Sequence, residues 1–378
     1  MNNISGLLAN FKNATSAYKP VILRLDNPAD QKTFKGLFDD EKITSVCDEI
    51  YGQLQELIKS QTPSIKIKPD EYPELINKHL AGKDIHEYGV WVYYPWNQRL
   101  VHLLDEEEFA EVRTNRNRNK ITREEQNTLK TKKIGIVGLS VGQSIALTIA
   151  MERTCGELRL ADFDTAELSN LNRIRTGVHN LGLNKTIIAA REISEMDPFL
   201  NVKIFNDGLN DNNMNDFFLE GGKLDLFIEV CDGLDVKIIS RYKAREFQVP
   251  VIMDTNDRGM LDVERFDLEP QRAVLHGLAD GLNPDNIKNL TNEEKIPYIL
   301  KMIGADTISA RLKASMLEVN KSINTWPQLA SSVTLGGAVT TDVCRRILLD
   351  QFHDSGRYYV DLDEIIDNKI PGPPIKPI

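Results

Sequence analysis

Residues 132–253 predict an α/β fold with a doubly wound, mostly parallel sheet, preceded by an N-terminal α+β domain. Three observations lead there. Short apolar runs recur at 133–137, 157–161, 202–205, 224–230 and 250–253. Segments with helical character fall between them, at 141–154, 184–196, 211–220 and 235–247. A glycine-containing turn follows the first run, in Gly138-Leu139-Ser140-Val141-Gly142-Gln143. Strand–helix alternation implies parallel pairing through right-handed crossovers, with helices on both faces. Ligands of such sheets bind beyond the carboxyl ends of the strands. The candidate positions are therefore 138–143, 162–173, 230–234 and 254–258.

The remaining elements follow in chain order. Residues 1–110 read as the α+β domain, of unknown role. Within it, 40–60 carries helical apolar spacing at Ile43, Val46, Ile50, Leu54 and Leu57. Residues 88–104 read as a β-hairpin turning at 95–98. Its aromatic residues Tyr88, Trp91, Tyr93, Tyr94 and Trp96 read as hydrophobic core rather than as a stacking surface. The charged stretch 105–131 has a mostly helical pattern and leads into a second domain, 111–370. Residues 285–320 and 333–351 read as helical. The Pro-rich tail 371–378 cannot be helical.

Composition bounds the function. A chain of 378 residues can bury a large core and suggests two domains. A net charge of −10 argues against general nucleic-acid binding, which needs a basic surface. No stretch approaches the roughly 18 apolar residues of a membrane span, and the start lacks the pattern of a secretory signal. The cysteines Cys47, Cys155, Cys231 and Cys344 are far apart and form no CxxC pair. That excludes a standard structural zinc site from this chain alone and fits a reducing, cytoplasmic setting.

The turn at 138–143 is not a clean GxGxxG, so by itself it fits a nucleotide site and a tight strand–helix turn equally. The second strand ends in Asp162, 24 residues after Gly138. An acid there is placed to accept hydrogen bonds from ribose hydroxyls. Both a nicotinamide enzyme and an ATP enzyme satisfy that. Asp164 has a plainer role as the cap of the following turn.

The next residues separate the two readings. The run 162–173, DFDTAELSNLNR, has no role in ordinary dinucleotide binding. It resembles the ThiF/MoeB superfamily of adenylating enzymes, relatives of ubiquitin-activating enzymes. Their pattern is a DxD, an SNLxRQ, a lysine about a dozen residues on, and a later strand ending CTDN. Here these are Asp162-Phe163-Asp164, Ser169 to Arg173, Lys185 twelve residues after Arg173, and Val230-Cys231-Asp232. The resemblance covers roughly 113–268, with a weaker match at 333–351. It implies a Rossmann-like adenylation domain that binds ATP and Mg²⁺ and activates a carboxylate of a peptide, carrier protein or small acid.

Adenylation sets a carboxylate against the α-phosphate of ATP and expels pyrophosphate. Both reactants are anionic, so the site must neutralise charge and hold an in-line geometry. The resemblance assigns phosphate contacts to Arg173 and Lys185, an orienting amide to Asn170, magnesium to Asp232, and the ribose to Asp162. Gly138, Ser140, Gly142 and Asp164 join the nucleotide-binding set. It also implies a homodimer in which an arginine before the first strand reaches the partner's site. Spacing favours Arg116 over Arg118. Taken singly, these residues read as solvated surface or turn positions.

The sequence departs from the family in three ways. Ser140, Val141 and Gln143 stand where glycines are usual, and their side chains would narrow the space near the nucleotide. Gly233 replaces the asparagine after the second aspartate. No cysteine lies between Cys231 and Cys344, and Cys344 itself reads as core. Transfer through a thioester on this chain is thus not expected. An oxidoreductase using a nicotinamide or flavin, and a degenerate scaffold that binds nucleotide, stand as alternatives. His276 could move a proton but reads better as structural. Asp254, Asp257 and Arg258 fit either an acceptor pocket or a surface turn.

Overall fold

The computed structural model describes residues 16–304, 307–325 and 327–367. The Pro-rich tail 371–378 lies outside the described residues. The chain divides into two compact units between Ile121 and Thr122. This lies past the boundary read at 110, because the charged stretch there continues the first unit. Phe109 and Val112 pack against that unit's core.

The first unit contains β1 (Val21–Leu23), α1 (Pro28–Asp39), β2 (Ser45–Asp48), α2 (Ile50–Gln61) and α3 (Tyr72–Leu80). The hairpin β3 (Val90–Tyr94) and β4 (Arg99–Leu103) and then α4 (Glu106–Arg113) complete it. Its sheet runs β1-β3-β4-β2. Trp91, Tyr93 and Tyr94 are buried, as core residues should be. The helix read over 40–60 begins only at Ile50. Residues 45–48 instead pair in parallel with β4, and Asp48 bonds the buried His102 at 2.9 Å. Tertiary pairing overrides the local spacing of Ile43 and Val46.

The second unit begins with α5 (Arg123–Leu129) and then alternates strand and helix. The series is β5 (Lys133–Val137), α6 (Gly142–Glu152), β6 (Glu157–Ala161), α7 (Lys185–Met196), β7 (Asn201–Phe205), α8 (Met214–Leu219), β8 (Leu226–Glu229), α9 (Leu234–Glu246) and β9 (Val251–Thr255). There follow β10 (Met260–Glu264), α10 (Asn292–Ile303), α11 (Ala310–Glu318), α12 (Ala330–Leu348), β11 (Gly356–Tyr359) and α13 (Leu362–Ile365). The sheet order is β11-β10-β9-β8-β5-β6-β7. The central strands β5 to β9 are parallel, whereas β10 and β11 are antiparallel additions at one edge.

The added β10 carries Asp262 and Glu264, so its sequence does not read as a buried strand. It is nevertheless buried throughout. Arg357 Nε bonds Asp262 at 2.6 Å and Arg241 Nε bonds Glu264 at 2.8 Å, and these contacts neutralise the acids. Buried charges persist when paired in this way.

Register places the site. Val137 is opposite Ala161 on one side and Glu229 on the other. Ile228 is opposite Ile252. Continued past the strand ends, this alignment sets Asp162, Gly138, Val230 and Asp254 in one row at the carboxyl edge.

Beneath that edge, Phe217, Phe218 and Phe227 form a fully buried aromatic cluster with edge contacts between rings. Phe217→Ala should lower unfolding free energy by about 3–5 kcal/mol. Denaturant titration with an unchanged m-value would show it, and a loss below about 1 kcal/mol would mean that the cluster is not a tight core.

Candidate active site

The site begins at Gly138. Its φ is +87°, and a Cβ there would lie 2.7 Å from the Val230 carbonyl oxygen and 2.8 Å from the Cys231 nitrogen. A side chain is excluded by both conformation and space. The Gly138 N–H donates to Ala161 O at 2.9 Å, and Gly142 N–H closes the turn onto Gly138 O at 3.1 Å. The turn is thus wedged between the ends of β6 and β8.

Asp162 fastens this turn to the next one. One carboxylate oxygen accepts the Leu139 N–H at 2.6 Å, and the other accepts the Asp164 N–H at 2.8 Å. Burial raises its pKa. The two N–H groups and Lys185 oppose that rise. Asp164, half-exposed, pairs with the buried Lys185 Nζ at 2.8 Å. Lys185 sits at the first position of α7, capped by the Asn184 side chain.

Arg173 lies across the glycine turn. Its Nε and Nη2 donate to Ser140 Oγ at 3.1 and 2.8 Å, bridging 33 residues of sequence. Partial burial lowers its pKa, and the charge of Asp232 counteracts this. Asp232 is exposed at the carboxyl end of β8. Asn170 Oδ1 accepts the Glu167 N–H at 3.1 Å and so stitches the 3₁₀ turn Leu168–Asn172. Its amide nitrogen remains to orient a ligand.

The structure therefore joins Gly138, Ser140, Gly142, Asp162, Asp164, Asn170, Arg173, Lys185 and Asp232 in one connected edge. Arg116 belongs to the first unit, exposed in the 3₁₀ turn Asn115–Asn117. Arg118, its competitor by spacing, is held by Glu111.

Gln143 does not crowd the turn as its sequence position implied. Its Nε2 donates to Arg175 O at 2.9 Å and to Glu192 at 2.8 Å, while its Oε1 accepts the Arg175 N–H at 2.9 Å. The side chain braces the backbone two residues after Arg173 instead of filling the mouth. Burial and the nearby Glu195 push Glu192 up to about 8.

Sequence reading missed Glu229, whose only signal was an acid ending an apolar strand. It is fully buried and accepts the Cys231 N–H at 2.9 Å and the Cys231 thiol at 3.1 Å. Lys237 Nζ reaches both its oxygens, at 2.9 and 2.7 Å, and Arg241 also bonds it. Burial alone would raise its pKa, but Lys237 and Arg241 outweigh that and hold it at about 2. Glu229 thereby anchors the backbone next to Asp232. Burial also pushes the Cys231 thiol well up, which leaves it unreactive.

Three other candidates separate. Asp257 holds Ser309 through its backbone N–H at 2.8 Å and its hydroxyl at 2.6 Å. Arg258 is committed to Asp361 at 2.5 Å and to Thr307 O at 2.7 Å. His276 lies between Asp262, 3.1 Å away, and Arg272, 2.8 Å away, in a structural charge network. Cys344 is fully buried. Asp254 alone has no such tie, and burial lifts it to about 7.

Among the described residues, no group of three or more His, Cys, Asp or Glu gathers to hold a metal ion. Asp232 still suits Mg²⁺, which takes one or two carboxylates and completes its shell with phosphate oxygens and water. No helix among them is long and apolar enough to cross a membrane.

The sheet and its edge are those of a doubly wound α/β protein that presents ligands at the carboxyl ends of its strands. Residues 114–325 match the ThiF family, and the chain belongs to it. It is 46% identical over 291 residues to an uncharacterized protein of Mycobacterium tuberculosis, a match covering 77% of this chain and 40% of the relative. The chain thus spans about two-fifths of that relative's length. A molybdopterin-synthase adenylyltransferase of Haemophilus influenzae is 24% identical over 193 residues, which is 50% of this chain and 78% of that one. Among solved structures, the E. coli tRNA N6-threonylcarbamoyladenosine dehydratase in complex with AMP is similar with a TM-score of 0.45 and 15% identity. It covers 66% of this chain and 98% of that one.

The raised Asp254 sets a pH dependence. Its native pKa lies above its unfolded value, so the native state binds the extra proton between about pH 4 and 7. Stability falls as pH rises through that window and is flat above it. Asp254→Asn should therefore be more stable than wild type at pH 8, by up to about 4 kcal/mol of unfolding free energy and with a correspondingly higher melting temperature, and show little gain at pH 4. Equal melting curves at pH 8 would contradict this.

Proposed function

We propose that this protein adenylates a carboxylate with ATP, giving an acyl-adenylate and pyrophosphate. The observation that carries the reading is Arg173, laid over the glycine turn onto Ser140 beside Asp232. Its guanidinium can leave one hydroxyl and fork onto two phosphate oxygens, which a planar five-donor group does well. The turn at 138–142 gives a phosphate or sugar close access to backbone, because Gly138 presents no Cβ. Asp162 keeps lone pairs for the ribose while it holds the turn together.

Lys185 reaches the phosphates by exchanging its half-exposed partner Asp164 for a more highly charged one. Asn170 orients an oxygen through its amide nitrogen. Asp232, kept in place by the backbone that Glu229 anchors, is the ligand for Mg²⁺. The ion, when bound, neutralises phosphate charge and favours departure of pyrophosphate. Membership of the ThiF family supports this assignment, as does the adenylyltransferase named among its relatives.

The activated acyl group does not pass to Cys231, whose thiol is tied to Glu229. We assign the substrate to carboxylates of peptides, carrier proteins or small acids. The protein works in the cytoplasm as a homodimer, and Arg116 of each protomer completes the partner's site. The exposed apolar residues Phe163, Leu168 and Val178 on the site's own crossover support such a contact.

Arg173→Ala and Asp232→Ala should each reduce ATP–pyrophosphate exchange by a factor of about 10² or more. Exchange persisting at the wild-type rate in both would defeat the proposal. ATP binding with no exchange for any carboxylate would instead identify a nucleotide-binding scaffold.

The composite site has its own test. Arg116→Ala and Asp232→Ala proteins, each inactive alone, should regain about a quarter of wild-type exchange when mixed and allowed to exchange subunits, since about half of all dimers are then mixed and each mixed dimer carries one intact site. No recovery in a mixture shown by light scattering to be dimeric would rule out the shared arginine.

A further inference from the structure

Gln143 stands where the three pieces of the phosphate side meet. It is the second residue of α6, directly after the glycine turn, and is 2% exposed. Both protons and the oxygen of its amide are engaged. Oε1 accepts the Arg175 N–H at 2.9 Å, and Nε2 donates to Arg175 O at 2.9 Å and to Glu192 Oε2 at 2.8 Å. The first two contacts pair with the backbone of a single residue, as a neighbouring strand would. A backbone N–H can only donate, so the amide has one orientation here. The third contact reaches α7, the helix that begins at Lys185.

The segment held in this way carries Arg173. The Arg173 and Ile174 N–H groups both return to Asn170 O, at 3.1 and 2.9 Å, and Ile174 is buried. The chain is therefore fixed behind Arg173 by Asn170 and ahead of it by Gln143. Ser140, three residues before Gln143, takes the guanidinium itself. One turn thus grips both the Arg173 side chain and the backbone that follows it. Thr176 adds a side-chain hydrogen bond to Glu192, and the charge of Arg175 lies near that carboxyl. An arginine has many rotamers, and its contact with a phosphate is most effective when the backbone beneath it is already fixed.

We propose that Gln143 is a positioning residue for Arg173, fastening the arginine's backbone to the glycine turn and to α7 so that the guanidinium meets the nucleotide's phosphates in one geometry. The inference rests on the adenylation reading above and extends it. Gln143 touches no phosphate and acts only through the group it holds. Its departure from the usual glycine is then a working part of the site and not a lost feature. A glycine at 143 has no amide to pair with Arg175 or to reach Glu192, so restoring the family's residue would damage the site. If the glutamine merely narrowed the mouth, the same change would leave nucleotide access equal or better.

The test uses the full chain with Mg-ATP, with pyrophosphate exchange selecting the active carboxylate from a panel of peptides and small acids. Gln143→Gly restores the family residue, and Gln143→Met keeps the volume without the hydrogen bonds. Both variants, checked for folding by thermal unfolding, should lose at least tenfold in kcat/KM for ATP, while KM for the carboxylate changes less than threefold. In an Arg173→Ala background the same substitutions should cost less than twofold, because the group they position is gone. A glutamine with a purely structural role would add its full loss in both backgrounds. That result, or wild-type kcat/KM in Gln143→Met, would overturn the proposal. Calorimetry with the α,β-methylene analogue of ATP and Mg²⁺ gives an arm that needs no turnover. Binding should weaken at least tenfold in either Gln143 variant, and less than twofold further when Arg173 is already alanine. That binding pattern without exchange for any carboxylate would refute only the adenylation reading. Active exchange with analogue binding unchanged in both variants would refute only the positioning role, and a wild type that binds no analogue would refute both.

Discussion

The Asp162 carboxylate is the contact on which the site depends. It directly follows β6, and its two oxygens hold the Leu139 and Asp164 N–H groups. One bond fixes the turn after β5, and the other fixes the segment that leads to Lys185. Both turns would otherwise expose backbone donors at a buried edge, where an unmade hydrogen bond costs about 1–3 kcal/mol. The acid proposed to meet the ribose is therefore also the brace of the glycine turn.

From that brace outward, each functional group is positioned by a group of opposite character. Lys185 is set by Asp164, Arg173 by Ser140 and the nearby charge of Asp232, and the Cys231 backbone by Glu229. Glu229 is held by Lys237 and Arg241, and Arg241 in turn meets Glu264. Charge at the open edge is balanced by charge in the core. Such buried pairs contribute little net stability, but loss of one partner leaves the other uncompensated. The antiparallel β10 enters the sheet on these terms, because Arg241 and Arg357 make its acids tolerable.

Against this satisfied background, the β9–α12 seam stands apart. Asp254 is buried, no cation contributes to its raised pKa, and the backbone of Gly336 packs against its carboxylate, where a Cβ would collide. Asp162, Asp164 and Asp257 along the same edge each accept a hydrogen bond or pair with a cation. That contrast separates Asp254 from Asp257, with which it shares a short stretch of sequence.

The sequence alone determined the doubly wound architecture, because alternating apolar runs and helical segments leave few other ways to bury both faces. The family pattern of Asp162, Asn170, Arg173, Lys185 and Asp232 was legible in the chain as well, because their order is read without knowing the fold. Tertiary structure decided what depends on pairs distant in sequence. It turned Gln143 toward Arg175 and Glu192, drew residues 45–48 into a strand, added β10 and β11 to the sheet, and made Glu229 an anchor. Those outcomes rest on neighbours that no local window contains, such as Gly336 opposite Asp254 and Arg357 opposite Asp262.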